Sequence, residues 1–208
     1  MVALPEFALL WPSESTLFIA DVHLGKDAAM AASGIPIPMG PTMETLGRLT
    51  SVIEATAPKR LILLGDLWHA KAGRTFDLTA EFVSWRMSHA GVEMILVEGN
   101  HDAKAGPLPS DADVLEVKEP HLIGPFALCH YPEPCPEGYV LSGHIHPAVV
   151  LHGRGRQSLT LPCFWFGKDT AVLPAFGSFT GCGRISPSEK DLVLVVADGR
   201  VIPAQMSA

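Results

Sequence analysis

Three short apolar runs, separated by amphipathic patterns, constrain this chain more than any other feature. Leu17–Ala20, Arg60–Leu64 and Val92–Val97 each read as one buried strand. Between the first two, Pro41 stands at a first helical position. Met43, Leu46, Leu49, Val52 and Ile53 then fall on one face of a helix over Thr42–Ala55. Between the second and third, Asp77 is a good N-cap for a helix over Leu78–Ala90, with Gly91 as its stop. This order predicts a right-handed parallel βαβ core.

The second half changes character. Strand-like runs at Phe126–Cys129, Tyr139–Leu141, Ala148–Leu151, Leu159–Leu161, Cys163–Phe166 and Ala171–Leu173 lie close together with turns between. Leu192–Val196 and Val201–Pro203 flank Asp198-Gly199, a strong hairpin signal. Two packed sheets with outer helices accommodate both halves. With 208 residues and no internal repeat or clear linker, the expectation is one domain over 1–208.

Composition excludes several classes. At 48% hydrophobic and 18% charged residues, the chain is neither disordered nor a coiled coil. A net charge of −7 argues against a bulk electrostatic grip on nucleic acid or anionic membrane. The imbalance is uneven: residues 147–190 hold 5 Lys/Arg (Arg154, Arg156, Lys168, Arg184 and Lys190) against 2 acids, which leaves room for a local basic face. No run approaches the ~20 apolar residues of a membrane span. The first residues lack the basic start of a signal peptide. The four cysteines form no CxxC pair and are expected to be reduced. The protein is therefore read as cytoplasmic.

Five motifs carry the chemistry, each following an expected strand: Asp21-Val22-His23, Gly65-Asp66, Gly99-Asn100-His101-Asp102, His130, and Gly143-His144-Ile145-His146. Strand ends of an open α/β sheet are where ligands bind. Carboxylates mixed with neutral imidazoles suit Mn²⁺, Fe²⁺ or Zn²⁺ better than an oxygen-only magnesium site. Asp66 is the natural bridge, because one carboxylate offers an oxygen to each of two ions. Such a pair clamps both sides of a phosphoryl centre. Glycines at 65, 99 and 143 allow close backbone approach. Singly these motifs arise by chance; together, in this order, they point to a metal site.

The set D-x-H, G-D, G-N-H-D, H, G-H-x-H resembles the calcineurin-like metallophosphoesterase superfamily over roughly residues 16–150. That resemblance implies a four-layer α/β/β/α sandwich of two mixed sheets flanked by helices. It also implies that Asp21, His23 and His146 hold one metal with bridging Asp66, while Asn100, His130 and His144 hold the second. Manganese is the first expectation, with iron or zinc as alternatives. The segments FIADVHLGKDAAMAASGIPIPMG, RLILLGDLWH, LPCFWF and VLPAFGSFTG narrow the likeness to the bacterial ligase-associated DNA-damage-response phosphoesterases. Members of that family are grouped with a DNA ligase, a helicase and an exonuclease. The resemblance thus implies a phosphodiesterase acting on DNA, with those proteins as partners. Two alternatives stay open: an enzyme for nucleotides or other small phosphoesters, and a non-catalytic module of a repair complex.

Within that expectation, hydroxide shared by two cations attacks phosphorus. His101 protonates the leaving oxygen and Asp102 orients His101. Lys26 is a candidate phosphate contact, and Arg74 a candidate contact to a nucleic-acid backbone. His69 either supports a ligand or packs in its loop. Phe164, Trp165, Phe166, Phe176 and Phe179 either stack on unpaired bases or, as their alternation favours, pack in the core. His89, His121 and His152 read as structural or surface residues. An aromatic C-terminal segment would suit a homodimer contact.

Overall fold

The first apolar run forms a strand over Thr16–Ile19, the second over Arg60–Leu64 and the third over Glu93–Val97. The computed structural model describes residues 1–35, 40–152, 155 and 157–204. Arg154 and Arg156, counted in the basic balance above, lie outside the described residues. In chain order the elements are β1 (Val2–Leu4), β2 (Ala8–Trp11), β3 (Thr16–Ile19), α1 (Lys26–Ala32), α2 (Pro41–Thr56), β4 (Arg60–Leu64), α3 (Phe76–Ser88), β5 (Glu93–Val97), α4 (Asn100–Ala105) and β6 (Leu115–Val117). There follow β7 (His121–Ile123), β8 (Phe126–Leu128), β9 (Tyr139–Ser142), β10 (Pro147–His152), β11 (Ser158–Phe166), β12 (Thr170–Val172), β13 (Gly183–Arg184), β14 (Leu192–Ala197) and β15 (Arg200–Pro203).

Strands β1 to β6 form one sheet in chain order, parallel from β3 to β6 and antiparallel from β1 to β3. The second sheet runs β13-β10-β11-β12-β9-β8-β7, with β14 and β15 added beside β11. It too is mixed: β8, β9 and β12 are mutually parallel, and β11 runs against its neighbours. Alternate residues of β3, β4 and β5 point to opposite faces. Leu17, Ile19, Leu61, Leu63, Met94 and Leu96 pack against Leu46, Leu49 and Val52 of α2 and Phe82 of α3. Phe18, Ile62, Leu64, Ile95 and Val97 pack against Leu128, Leu141, Phe164 and Ala171 of the second sheet. Fully burying one such side chain stabilises the fold by about 1.5–3 kcal/mol. The result is the expected pair of mixed sheets flanked by helices, with the helices gathered on the first sheet. No described helix is long and apolar enough to cross a membrane.

Several local expectations change. Met43 is 48% exposed, so the apolar stripe of α2 starts one turn later, at Leu46. Thr75, not Asp77, caps α3: its side chain accepts from Leu78 N at 3.2 Å, and Asp77 lies in the first turn. The runs either side of Pro162 are one strand, β11. Pro162 is tolerated because it pairs with Ala148 of β10, while the ladder to β14 begins only at Cys163. The Asp198-Gly199 hairpin forms with φ of 49° and 66° at its two turn residues, the positive pair that matches strand twist.

Candidate metal centre and active site

Parallel β3, β4 and β5 end at one sheet edge, and the loops after β8 and β9 meet them there. Backbone bonds lock these loops together. Asp21 N donates to Gly65 O (3.2 Å), His23 N to Asp66 O (2.8 Å), and His144 N to Asp21 Oδ2 (2.9 Å), which bridges the two sheets. Asp21, His23, Asp66, His144 and His146 all have φ between 48° and 70°. A side chain in this left-handed region costs on the order of 1–3 kcal/mol, and such strain concentrates at functional sites. The glycines meet their expected purpose: a Cβ at Gly65 would enter the His130 ring, and one at Gly99 or Gly143 would enter the Asp66 or Asp21 carboxylate.

Two groups of potential ligands result, Asp21–His23–His146 and Asp66–His130–His144, the donor atoms of each lying within 4.8 Å of one another. Asn100 joins the second, its Oδ1 3.0 Å from His130 Nε2. Hydrogen bonding sets which nitrogens face inward. His130 Nδ1 lies 3.1 Å from Leu64 O, and His146 Nδ1 lies 2.9 Å from Gly181 O. A carbonyl only accepts, so each Nδ1 is the donor there and Nε2 is the nitrogen turned inward. His130 Nε2 faces Asn100 Oδ1 and, at 3.5 Å, Asp66 Oδ1. His146 Nε2 faces His23 Nε2 at 3.3 Å and Asp21 Oδ1 at 3.6 Å. Carboxylate oxygens, imidazole nitrogens and an amide oxygen gathered in buried space are a donor set that suits a divalent cation. The residues present therefore fit divalent metal ions.

Electrostatics agrees. Burial, then the neighbouring His146 and His101, pushes the His23 imidazole down to about 2, so it stays neutral and ready to ligate. Burial and His130 lower His144. Burial opposes the His146 cation, but the Asp21 carboxylate and the Gly181 carbonyl outweigh it and raise that ring. Burial raises Asp66, with His130 pulling the other way.

The remaining site residues divide. His101 sits beside the centre: its backbone N donates to Asp66 Oδ1 (2.9 Å) and its Nε2 lies 3.9 Å from Asp66 Oδ2. Its Nδ1 donates to the carbonyl of His69, whose ring stacks on it with centroids 4.9 Å apart. Asp102 does not orient His101. It is buried, accepting from Trp68 N (2.9 Å) and Gly99 N (3.0 Å), and burial lifts its carboxyl to about 6. The reason is helical geometry: neighbours in sequence point apart on α4. Asp102 pins the loop after β4 to the start of α4 instead. Arg74 is likewise not free for a nucleic-acid backbone. Its Nη1 donates to the carbonyls of Ala105, Gly106 and Pro107, and its guanidinium lies over Trp68. Lys26 begins α1 beside the centre, lining a cleft with His23. Among the aromatics, Phe164 and Phe176 are fully buried, Trp165 donates to Asp191 Oδ2, and only Phe179 is exposed.

His69, expected either to support a ligand or to pack in its loop, forms a third group with His23 and His101. Two features escape sequence reasoning. Tyr131 packs edge-on against His130 and His144, with centroids 5.0 and 4.5 Å away. Glu119 accepts from the backbone of His130 and fixes that loop.

Comparison with solved structures gives a close match to the crystal structure of Pseudomonas putida nuclease MPE: 39% identity, TM-score 0.84, covering 97% of this chain and 93% of that one. The E. coli phosphoesterase Yfce overlaps at 15% identity and TM-score 0.45, over 90% of this chain and 96% of that one, too distant to bear on activity. No protein-family model and no curated protein matches the chain.

Proposed function

The chain belongs to the metallophosphoesterase superfamily and is a metal-dependent phosphoesterase, and from that premise we propose that it hydrolyses phosphodiester bonds in DNA during repair. The nuclease match supports a nucleic-acid substrate. Asp21, His23, His146 and Asp66 would hold one divalent ion, and Asp66, Asn100, His130 and His144 the second, manganese being the first candidate. The observation that carries this reading is the pair of carboxylate–imidazole groups, Asp21–His23–His146 and Asp66–His130–His144, gathered at one sheet edge.

Divalent ions there would neutralise phosphoryl charge and acidify water. The chain's own residues do the rest. A water gives up one proton to solvent, its oxygen forms the new bond to phosphorus, and the bond to the leaving oxygen breaks. His101 supplies the proton that oxygen needs: the His69 carbonyl holds its Nδ1, so Nε2 is the nitrogen presented to the site. Asp102 acts one step back, holding Gly99 N and so the first turn of α4, on which Asn100 and His101 stand. Lys26 offers an ammonium to a phosphate oxygen and has no salt-bridge partner among the described residues. A ligase, a helicase and an exonuclease are the proposed partners.

The test is a substrate panel with manganese: single-stranded DNA, nicked duplex, cyclic nucleotides and an aryl phosphodiester. Cleavage of a DNA substrate together with the aryl ester is expected. Turnover of small esters alone replaces DNA with a small phosphoester as substrate. No turnover by fully metal-loaded protein overturns catalysis of phosphodiesters altogether.

A further inference from the structure

The chain passes from the first sheet to the second through residues 118–120, the link between β6 and β7. That link is bonded to the surroundings of the centre on both sides. Towards the first sheet, Glu98 N donates to Val117 O (2.9 Å), and Lys118 Nζ pairs with the Glu98 carboxylate. Glu98 lies two residues before Asn100, a candidate ligand. The Lys118 side chain is exposed, so its ion pair adds little. Towards the second sheet, a single carboxylate oxygen, Glu119 Oε2, accepts from His130 N (2.6 Å) and from Tyr131 N (3.1 Å). These two bonds are charge-assisted, and they meet the backbone of a ligand directly.

The bonds of Glu119 bear on one half of the centre. The His130 carbonyl accepts from Gly143 N (3.2 Å), one residue before His144. The Tyr131 ring packs edge-on against the rings of both His130 and His144. His130 Nε2 lies 3.0 Å from Asn100 Oδ1 and 3.0 Å from His144 Nδ1. A shift of the His130–Tyr131 turn therefore displaces the ring in the middle of the second group. The group of Asp21, His23 and His146 has separate anchors. Asp21 N donates to Gly65 O (3.2 Å) and His23 N to Asp66 O (2.8 Å). His146 is held at Nδ1 by Gly181 O (2.9 Å) and at its own carbonyl by Gly183 N (2.9 Å). None of these four bonds runs through Glu119.

We propose that Glu119 is a positioning residue for the second of the two divalent ions. By holding the His130–Tyr131 turn it sets the affinity of the Asp66, Asn100, His130 and His144 group, and leaves that of the Asp21, His23 and His146 group unchanged. Residues that orient ligands without touching the ion typically change metal affinity by about 10–100-fold when removed. Here the position of the oxygen matters more than its charge. One oxygen takes both bonds, so the amide oxygen of a glutamine can replace it. An aspartate keeps the charge but, one methylene shorter, does not bring its oxygen to the same place. The inference rests on the two-ion reading above and adds that the two ions have separable affinities.

The experiment counts ions rather than turnover. Metal-free wild type, Glu119→Ala, Glu119→Gln and Glu119→Asp are titrated with manganese, the unbound ion being measured by its EPR signal in solution. Wild type should bind two ions. In Glu119→Ala one ion keeps its wild-type Kd and the other weakens by about 10–100-fold. Gln should recover about half of that loss or more on a logarithmic scale, since a neutral hydrogen bond keeps roughly half the strength of a charge-assisted one. Asp should recover less than Gln. A zinc titration followed by the NMR resonances of the ring nitrogens identifies the weakened ion: His130 and His144 should respond late, and His23 and His146 as in wild type. Glu119 is exposed, so the variants should fold; if Glu119→Ala does not, the order of Gln and Asp decides alone. Two unperturbed ions in Glu119→Ala, equal weakening of both, a late response confined to His23 and His146, or Asp matching Gln overturns the role of Glu119. Wild type that takes up no second ion overturns the two-ion reading itself, and the proposal with it.

Discussion

Replacing His101 by asparagine separates proton donation from every other task at that position. The asparagine amide nitrogen reaches the space of the ring Nδ1, so the bond to the His69 carbonyl survives. The backbone bond from residue 101 to Asp66 Oδ1 survives too, because it involves no side chain of 101. What disappears is Nε2, together with the stack on His69. The lost stack is worth about 0.5–1.5 kcal/mol, a few degrees in Tm for a chain of this size. The lost acid is worth more. A positioned general acid contributes about 10²–10⁴-fold, which at 1.36 kcal/mol per decade is a barrier of roughly 3–5 kcal/mol. That full penalty falls on a natural diester, whose leaving alkoxide is strongly basic. An aryl diester expels a stable phenolate and escapes most of it. The assay is kcat/KM for an oligonucleotide and an aryl phosphodiester, with metal content measured on the same samples. A loss of about 10²–10⁴-fold on the first and under tenfold on the second is expected. Equal losses on both, with metal retained, refute the acid role and leave His101 as a support for Asn100.

Asp102→Ala should cost about 2–6 kcal/mol in urea denaturation, because two buried N–H groups, of Trp68 and Gly99, lose their acceptor at about 1–3 kcal/mol each. The Asp102 carboxyl sits at about 6 in the folded state against 3.8 unfolded. Its contribution therefore falls by about 3 kcal/mol as pH rises between those values, and Asp102→Asn should flatten that segment of the metal-free stability profile. Manganese at ~100 times its Kd should add about 2.7 kcal/mol, raising Tm by roughly 5–10 °C, reversibly with a chelator. That rise should shrink in acid, since metal must displace a proton from His146, whose pKa lies above the usual 6.5. An unchanged Tm in manganese would contradict the metal-site assignment. Gly99→Ala should abolish stoichiometric metal binding, because the added methyl occupies the place of the Asp66 carboxylate; elemental analysis checks it.

The sequence by itself determined the strand-and-loop frame and the seven candidate ligands. Each ligand follows an apolar run whose length and composition mark it as a buried strand, and strand ends meet at one edge once the strands are parallel. The short elements were not legible. The β1–β2 hairpin turns through Phe7 at φ 64°, with no glycine or asparagine to announce it, and β6 and β7 are three residues each, too brief for periodicity to register. Only the tertiary structure decided which neighbours serve the ligands. The groups that orient His101, His130 and His146 are carbonyls of His69, Leu64 and Gly181, and a backbone carbonyl has no residue identity to read. Asp102 adjoins His101 in sequence yet faces away, because successive residues on a helix diverge. Arg74 reads as a surface cation until α4 brings three carbonyls to it. Phe164, Phe176 and Phe179 are alike as residue types, and only the tertiary structure buries the first two and leaves the last exposed. Covalent order sets residue type and local conformation; contacts between segments more than a hundred residues apart set which of those residues share a site.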